Sequence, residues 1–597
     1  VGSHRRDAKE RRAVRLTRVA QVVPAVPSFA VDDGFTYSIP DALGDLDVGD
    51  IVRVPLGGRR VRGYVTSVGE GVPGRRLRDI TARSGKQGVF TPAMLRSLRW
   101  TAAHYVAPLS TVLDRCAPPN LPGKAPRPST GTLPPPGGLL AAWSTEPASG
   151  RPAFVLSGNA LDAVESAITP VVARGKNVIV TAPTVAEAHL TADALRDVFG
   201  TRVRSATSDE SAATRTTAWG RLSAGTGAIV IGTREVAFWG KDDLGLVVVI
   251  DEGRRAYKSP RTPTYHVRDV LRERSAVEGF PLALTGAVPT SEAMAAEVDL
   301  YREPPRIWPH VEVVDRSAAS FGRGAVGDAA TRAIAALGPS GTVFVLVPRR
   351  GGSFRCARCR ELRRCGTCEA TLTRDGRCPR CGAVYPVCTA CGGTRFEGLG
   401  GGVTRIVDDL RRRFGSDAGP ADGPARIAVG TERDLVGLPP VDLVVVVDPD
   451  AGILAPTYRA DEEALRLLAR AVLAAKPGGG RRAVIQTSLP EHPVFIALRK
   501  GDPIPFLHDT LAARASSGFP PIGDLIAIEA DAESATGTLA EATGDATLLG
   551  PAPEGERFRW LIQGRDLSVV RIRLRAAVQH LRDGGTRVRV DVDPVDL

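Results

Sequence analysis

The sequence predicts a multidomain α/β protein: a β-rich N-terminal domain, two lobes built on parallel sheets, a metal-binding insertion in the second lobe, and a small α+β C-terminal domain. Three observations carry this. From residue 152 onward, short apolar runs ("NVIVTAP", "GAIVIGT", "LGLVVVIDE", "PLALTGA") alternate with helical stretches, the pattern of buried parallel strands covered by helices. Eight of the nine cysteines fall between Cys356 and Cys391. At 597 residues, the chain is longer than one hydrophobic core can serve.

The elements follow in order. Residues 16–115 alternate β-rich runs such as "IVRVPLGGRRVRGYVTSV" with Gly/Pro turns and end in a helical pattern around "MLRSLRWTAAHYV", so residues 1–116 are expected to form a small barrel-like domain closed by a helix. Residues 117–150 are Pro-rich and read as a linker. The first parallel series spans 151–334. A second, 335–500, begins with "TVFVLVP", is interrupted by the cysteine block at 354–396, and resumes with "RIAVGT", "VDLVVVVDPD" and "RAVIQTS". Residues 501–597 close the chain, ending in "TRVRVDVDPVDL". No run of 18 apolar residues occurs and no charged start leads into an apolar segment, so a soluble, cytoplasmic protein without a membrane partner is expected, as a monomer. The 78 Lys and Arg outnumber the 66 Asp and Glu, a formal charge of +12 that favours a polyanionic partner such as nucleic acid.

In the cysteine block the pairs are Cys356/Cys359, Cys365/Cys368, Cys378/Cys381 and Cys388/Cys391. Each C-x2-C sets two sulfurs on one tight knuckle, and two knuckles supply the four thiolates of a closed tetrahedral zinc site, so two zinc ions are expected. Neighbouring, alternate and nested pairings are all open. The short separation between the second and third pairs favours nesting, with Cys365, Cys368, Cys378 and Cys381 inside and Cys356, Cys359, Cys388 and Cys391 outside. The block holds nine Arg against Glu361, Glu369 and Asp375, a formal +6. Two tetrathiolate zincs at −2 each would leave about +2, a mildly cationic module.

Taken together, these pieces resemble the PriA family of primosomal replication-restart proteins along nearly the whole chain. The matching segments are "VIGTREVAF" then "LGLVVVIDE", "YHVRD", the cysteine block followed by "GLG", "IAVGTERDLVGLPPVDLVVVVD", "PTYRADEE", "IQTSLPEHP", "FPPIGDL", "LLGPAP" and "VRVDVDP". The resemblance implies that the two lobes are RecA-like helicase lobes, and that an active member hydrolyses ATP to unwind DNA.

That chemistry needs a G-x-x-x-x-G-K-[ST] loop, whose backbone N–H groups, lysine and hydroxyl hold the phosphates and magnesium. Between "FVL" and "NVIVTAP" the chain offers only "SGNALDAVESAITPVVARGK", and none of its four Gly-Lys pairs (Lys86, Lys124, Lys176, Lys241) precedes Ser or Thr. The family's D-E-x-H reads Asp251-Glu252-Gly253-Arg254, which leaves two carboxylates without the coupling His. Where an arginine-finger motif belongs, the chain reads "ALRLLARAVLAAKPGGGRRAVI". Asp251 and Glu252 are therefore expected to be strand-end remnants, and ATP and magnesium are doubtful cofactors. The family's winged-helix domain is expected to be missing from 117–150.

The same resemblance makes the N-terminal domain like one that accepts the 3′ end of a strand at a fork. On that reading Phe35, Thr36, Gly57 and Arg78 are the candidate DNA-binding residues: an aromatic ring stacks on a base, Gly57 allows close backbone approach, and Thr36 stands where the family has a carboxylate. The function expected is a restart component that binds forked or single-stranded DNA and helps reload the replicative helicase without hydrolysing ATP. Primosome proteins, the replicative helicase and single-stranded-DNA-binding protein are the partners the resemblance implies. The alternatives are an active 3′-to-5′ helicase with an altered nucleotide site, and a protein-interaction scaffold with weak DNA binding.

Overall fold

The computed structural model describes residues 17–71, 77–123, 133–147, 150–157, 160–222, 227–241, 243–302, 308–316, 325–348, 353–366, 372–373, 375–377, 383–399, 402–476 and 482–595. The N-terminal sheet comprises β1 (Thr17–Pro24), β2 (Phe35–Ser38), β3 (Ile51–Leu56), β4 (Arg59–Gly71) and β5 (Ala82–Ser84), all antiparallel in the order β2-β1-β4-β3-β5. A parallel bridge from Ser38 to Asp79 folds β2 toward the chain leading into β5, which gives the barrel character. Alternation along β3 and β4 sends Val52, Val54 and Val65 into the barrel interior. Ile51 and Tyr64 turn outward, against helix Pro92–His104. That helix starts where the Thr91 hydroxyl accepts the Met94 N–H and Pro92 fills the first turn.

The first lobe is a seven-stranded parallel sheet of β6 (Ala153–Leu156), β7 (Asn177–Thr181), β8 (Val203–Ser205), β9 (Ile229–Gly232), β10 (Leu244–Val249), β11 (Leu282–Gly286) and β12 (Asp299–Arg302), ordered β12-β6-β11-β10-β7-β9-β8. Every residue of β6, β7, β9 and β11 is buried, as unbroken apolar runs require when helices cover both faces.

The second lobe is a six-stranded parallel sheet interrupted by a short hairpin. Its strands are β13 (His310–Asp315), β14 (Val343–Leu346), β17 (Ala418–Pro420), β18 (Ile427–Gly430), β19 (Leu443–Val447) and β20 (Arg482–Thr487), in the order β13-β20-β19-β14-β18-β17. The hairpin pairs β15 (Ser353–Cys356) with β16 (Phe396–Leu399). Helix Ile504–Ser517 belongs physically to this lobe, because Leu507 is fully buried in its core.

The C-terminal sheet is antiparallel, β22-β23-β21-β24, with β21 (Asp524–Ala530), β22 (Thr547–Glu554), β23 (Arg557–Gly564) and β24 (Val588–Val592), backed by helix Ser568–Asp583. Among the described residues of 117–150 there is no helix or strand, and Leu140 and Trp143 pack into the first lobe.

One apolar core runs from the N-terminal domain through the first lobe into the C-terminal sheet, and includes Tyr64, Trp219, Trp239 and Trp560. A buried aromatic side chain of this size removes about 150–250 Å² from water, worth roughly 4–6 kcal/mol each at ~25 cal/mol per Å². Polar contacts reinforce the same docking. Arg575 Nη2 lies 2.5 Å from Asp32 Oδ2, the Ser28 hydroxyl donates to Gln579 Oε1 at 3.1 Å, and the Thr264 hydroxyl donates to the Val590 carbonyl at 3.2 Å.

The two lobes meet across a seam of buried charges. Arg268 Nη1 is 3.0 Å from Glu252 and 3.8 Å from Glu292, while its Nε reaches Asp269 at 3.1 Å. Arg459, from the second lobe, comes within 2.5 Å of Glu292, a close ion contact rather than an aligned hydrogen bond. Glu462 pairs with Arg466 at 3.0 Å and with Arg514, and accepts the hydroxyl of Ser291 from the first lobe. Burial pushes the carboxyls of Asp269 and Glu292 up, but Arg268 beside Asp269, and Arg459, Arg268 and Arg514 around Glu292, more than reverse this and hold both below their ordinary values.

Glu462→Ala leaves Arg514 and Arg466 buried without their carboxylate and is expected to cost ~3–5 kcal/mol in urea unfolding. Arg302→Ala, which breaks the exposed pair with Asp502, should cost ~1 kcal/mol or less. Because the folded carboxyls of Asp269 and Glu292 sit below their ordinary values of 3.8 and 4.5, the unfolded chain takes up protons first as acid is added. The seam's contribution is therefore complete above those ordinary values and falls as pH drops toward the lower folded ones, readable as acid unfolding in the fluorescence of Trp219, Trp239 and Trp560.

Candidate functional site

β10 lies near the centre of the first-lobe sheet, between β7 and β11, so its carboxyl end opens where an α/β sheet ordinarily places a ligand. Asp251 follows it in the left-handed region at φ 51°, held by the Thr285 hydroxyl, which accepts the Asp251 N–H at 3.2 Å. The Tyr257 hydroxyl, bonded to the Thr181 and Ile250 carbonyls at 2.8 and 2.6 Å, fastens the loop beneath.

Neither carboxylate is free. Glu252 is fully buried and accepts the Thr290 N–H at 2.8 Å and Arg268 Nη1 at 3.0 Å. Asp251 faces two guanidiniums, Arg470 Nε at 2.9 Å and Arg254 Nη1 at 3.3 Å. The same arginines reach Glu187 and Glu432: Arg254 at 2.8 and 3.3 Å, Arg470 at 3.7 and 2.9 Å. Glu187, Asp251 and Arg254 come from the first lobe, Glu432 and Arg470 from the second, so this cluster also ties the lobes together. Burial alone would lower the Arg254 pKa, but Asp251, Glu187 and Glu432 raise it instead, and the guanidinium stays charged. Two cations thus stand where a divalent ion would have to approach Asp251. Arg254 occupies the place the resemblance gives to a histidine.

From β6 to the helix Leu161–Ala173 there are only residues 157–160, of which Gly158 and Asn159 lie outside the described residues. That helix begins at Ala160 without a side-chain cap and carries Asp162 in its first turn. Burial and the charge of Asp162 push the Glu165 carboxyl up. An acidic first turn repels the phosphates that a helix N-terminus otherwise attracts.

At the cysteine block, the sulfurs of Cys356, Cys359, Cys388 and Cys391 lie within 4.8 Å of one another. The separations Cys356–Cys391 and Cys359–Cys388 are 3.5 and 3.7 Å, close to the edge of about 3.8 Å that a tetrahedron with Zn–S bonds of about 2.3 Å requires. This set could hold a zinc ion, and it comprises the outer two pairs of the nested scheme. Backbone N–H groups of Cys359 and Arg358 pull the Cys356 thiol down to about 7, while the neighbouring sulfurs of Cys391, Cys388 and Cys356 push the Cys359 thiol up to about 12, so four thiolates side by side call for a cation between them. Of the inner set, Cys365 is buried 3.8 Å from the Tyr385 hydroxyl, while Cys368, Cys378 and Cys381 lie outside the described residues.

On the N-terminal barrel the four candidate DNA residues are all exposed but differ in engagement. Phe35 is 41% exposed, whereas Tyr37, two residues on, belongs to the barrel core and donates its hydroxyl to the Pro55 carbonyl at 3.1 Å. Thr36 is turned to β1, its hydroxyl donating to Gln21 Oε1 at 2.9 Å. Gly57 is the first of two glycines with positive φ (55° and 79°) that close the β3–β4 turn, and a Cβ there would meet only open space. Arg78 is exposed, acts on the Tyr37 hydroxyl through its charge, and lends its carbonyl to the Ser38 N–H at 3.0 Å. Tyr37 thus sits between the Pro55 carbonyl near the end of β3 and the charge of Arg78.

Sequence reasoning missed Arg470 as a partner of Asp251. Glu462, Arg466 and Arg470 recur at four-residue intervals on helix Ala460–Val472, and that spacing is the signal that could have placed them on one face.

Residues 21–118 match the PriA 3′ DNA-binding domain family, and residues 515–595 match the primosomal protein N C-terminal domain family. The replication restart protein PriA of Synechocystis is 27% identical over 71% of this chain and 59% of its own length. That of Treponema pallidum is 27% identical over 95% of this chain and 98% of its own. The chain therefore spans about three fifths of the length of the first relative and nearly all of the second. Among solved structures, RecG bound to a three-way DNA junction is 14% identical over 61% of this chain and 43% of that one, with a TM-score of 0.34. Mycobacterium smegmatis Lhr bound to single-stranded DNA and AMP-PNP is 13% identical over 68% and 56%, with a TM-score of 0.37.

Cys359→Ser is expected to release one equivalent of bound zinc, measured by elemental analysis, while the far-UV circular dichroism of the two lobes stays unchanged.

Proposed function

The chain is a relative of the PriA replication-restart proteins, with their 3′ DNA-binding and C-terminal domains at its two ends, and on that premise we propose that it binds forked or single-stranded DNA as a restart component that does not hydrolyse ATP. It would hold abandoned forks and position primosome proteins for reloading of the replicative helicase. The observation that carries this reading is the engagement of Asp251 by Arg254 and Arg470.

A nucleotide motor needs a strand-end carboxylate on magnesium, a basic cradle for the phosphates, and lobes that open and close around them. Here the carboxylate is neutralised from both lobes, the segment between β6 and the next helix has four residues and no lysine, and opening the seam would part Arg459 and Arg514 from Glu292 and Ser291 from Glu462. DNA contact then falls to the N-terminal rim, with Phe35 as the stacking surface and Arg78 as the basic group. Thr36 makes a weaker acceptor than a carboxylate for a terminal hydroxyl, so selectivity for a free 3′ end should be modest. The cysteine block holds two zinc ions on this reading, one on Cys356, Cys359, Cys388 and Cys391, the other on Cys365, Cys368, Cys378 and Cys381. Zinc supplies no catalysis in such a closed site and serves to fix the module's shape.

Purified protein, incubated with magnesium, ATP and forked DNA, should release phosphate at the rate of a protein-free control while shifting the fork in a gel at moderate salt. DNA-stimulated turnover would restore the helicase alternative. Failure to retain the fork would leave only the interaction scaffold.

A further inference from the structure

A second basic surface lies on the β3–β4 hairpin. In the antiparallel register Arg53 stands opposite Arg62, and Pro55 opposite Arg60, so Arg53, Arg60 and Arg62 share one face. The opposite face holds Val52 and Val54 in the barrel core and fixes which way the arginines point. Arg53 and Arg60 are exposed. Arg62 is half-buried, its guanidinium carbon 5.4 Å from the Tyr64 ring centroid and its Nε buried without a partner.

The acids nearby are otherwise engaged. Asp45 and Asp50 pair with Arg83 at 2.7 and 2.9 Å, Asp114 accepts the Tyr64 hydroxyl, and Asp79 accepts that of Ser38. Like charges directly opposite one another weaken a strand pair. A hairpin that keeps two guanidiniums face to face, with a third diagonal to them, is built for a ligand of dense negative charge. The band adjoins the rim: the Tyr37 hydroxyl bonds to Pro55, and the Thr81 N–H donates to the Arg53 carbonyl at 2.9 Å, so the chain from Arg78 to Thr81 runs along the same strand.

We propose that Arg53, Arg60 and Arg62 form a track for consecutive backbone phosphates of duplex DNA behind the strand end held at the rim. This rests on the reading that the chain binds branched DNA. Phosphate contacts of this kind position a duplex without reading its sequence.

Each neutralised phosphate contributes about −0.9 to the slope of log K against log salt on duplex DNA. Fluorescence anisotropy of a forked probe, titrated at several salt concentrations, should therefore give a slope shallower by about 2.7 for R53Q/R60Q/R62Q and by about 1.8 for R53Q/R60Q, equally for unrelated duplex sequences. The double variant leaves the Arg62 stem on Tyr64 and guards against a folding defect. If the wild type binds and both variants keep its slope, the phosphate track is overturned while DNA binding stands. If the wild type does not bind, the DNA-binding reading falls and takes the track with it.

Discussion

The charge-filled seam between the lobes constrains everything built on them. Glu252, Arg268, Glu292, Arg459, Glu462 and Arg514 are nearly or fully removed from water, and they alternate in sign across two lobes and the helix that follows them. Arg268 with Glu252 in the first lobe and Glu462 with Arg466 and Arg514 in the second pair within their own lobes, while Arg459 and Arg514 on Glu292, and Ser291 on Glu462, cross between them. Opening the lobes would break only these crossing contacts, and water would rehydrate the charges as they part, so what holds the lobes here is the direct contact itself. The two sheets are thereby joined by direct ionic contacts, those of Glu292 in the seam and of Asp251 at the strand ends.

The chemistry at the strand ends follows from that lock. Asp251 retains the position from which a carboxylate can hold a metal, but Arg254 and Arg470 have taken its charge, and Glu187 and Glu432 complete a cluster in which three anions meet two cations. The N-terminal barrel and the C-terminal sheet share one apolar core with the first lobe, joined by Asp32–Arg575 and Thr264–Val590. The rim bearing Phe35 and Arg78 is thus presented on a frame whose core continues through the first lobe into the C-terminal sheet.

Much of the architecture was legible in the sequence because it rests on local, periodic signals. The runs "LGLVVVI" and "VDLVVVV" became central parallel strands β10 and β19, since only a strand covered on both faces buries so many consecutive β-branched residues. The knuckle spacing brought Cys356, Cys359, Cys388 and Cys391 together for a similar reason, as each pair is fixed by its own turn. Partner choice was not legible. That Arg470 meets Asp251, more than two hundred residues earlier, depends on how two finished lobes pack. Helix Ile504–Ser517 joined the second lobe's core, where composition had suggested the start of the last domain, because an amphipathic helix carries no label for the sheet that will bury it. Phe35 and Tyr37 lie two residues apart on β2 and so share a face, yet only Tyr37 entered the core, since β2 lies at the sheet edge and Phe35 falls where the barrel ends.

The lock itself can be read as a distance. Fluorophores introduced through noncanonical amino acids at the exposed positions Asp193 in the first lobe and Arg412 in the second would report lobe separation by energy transfer. A seam held by buried ion pairs predicts one narrow distance distribution, unchanged by ATP analogues, magnesium or forked DNA. A shift to a second distance on adding nucleotide and DNA would contradict it.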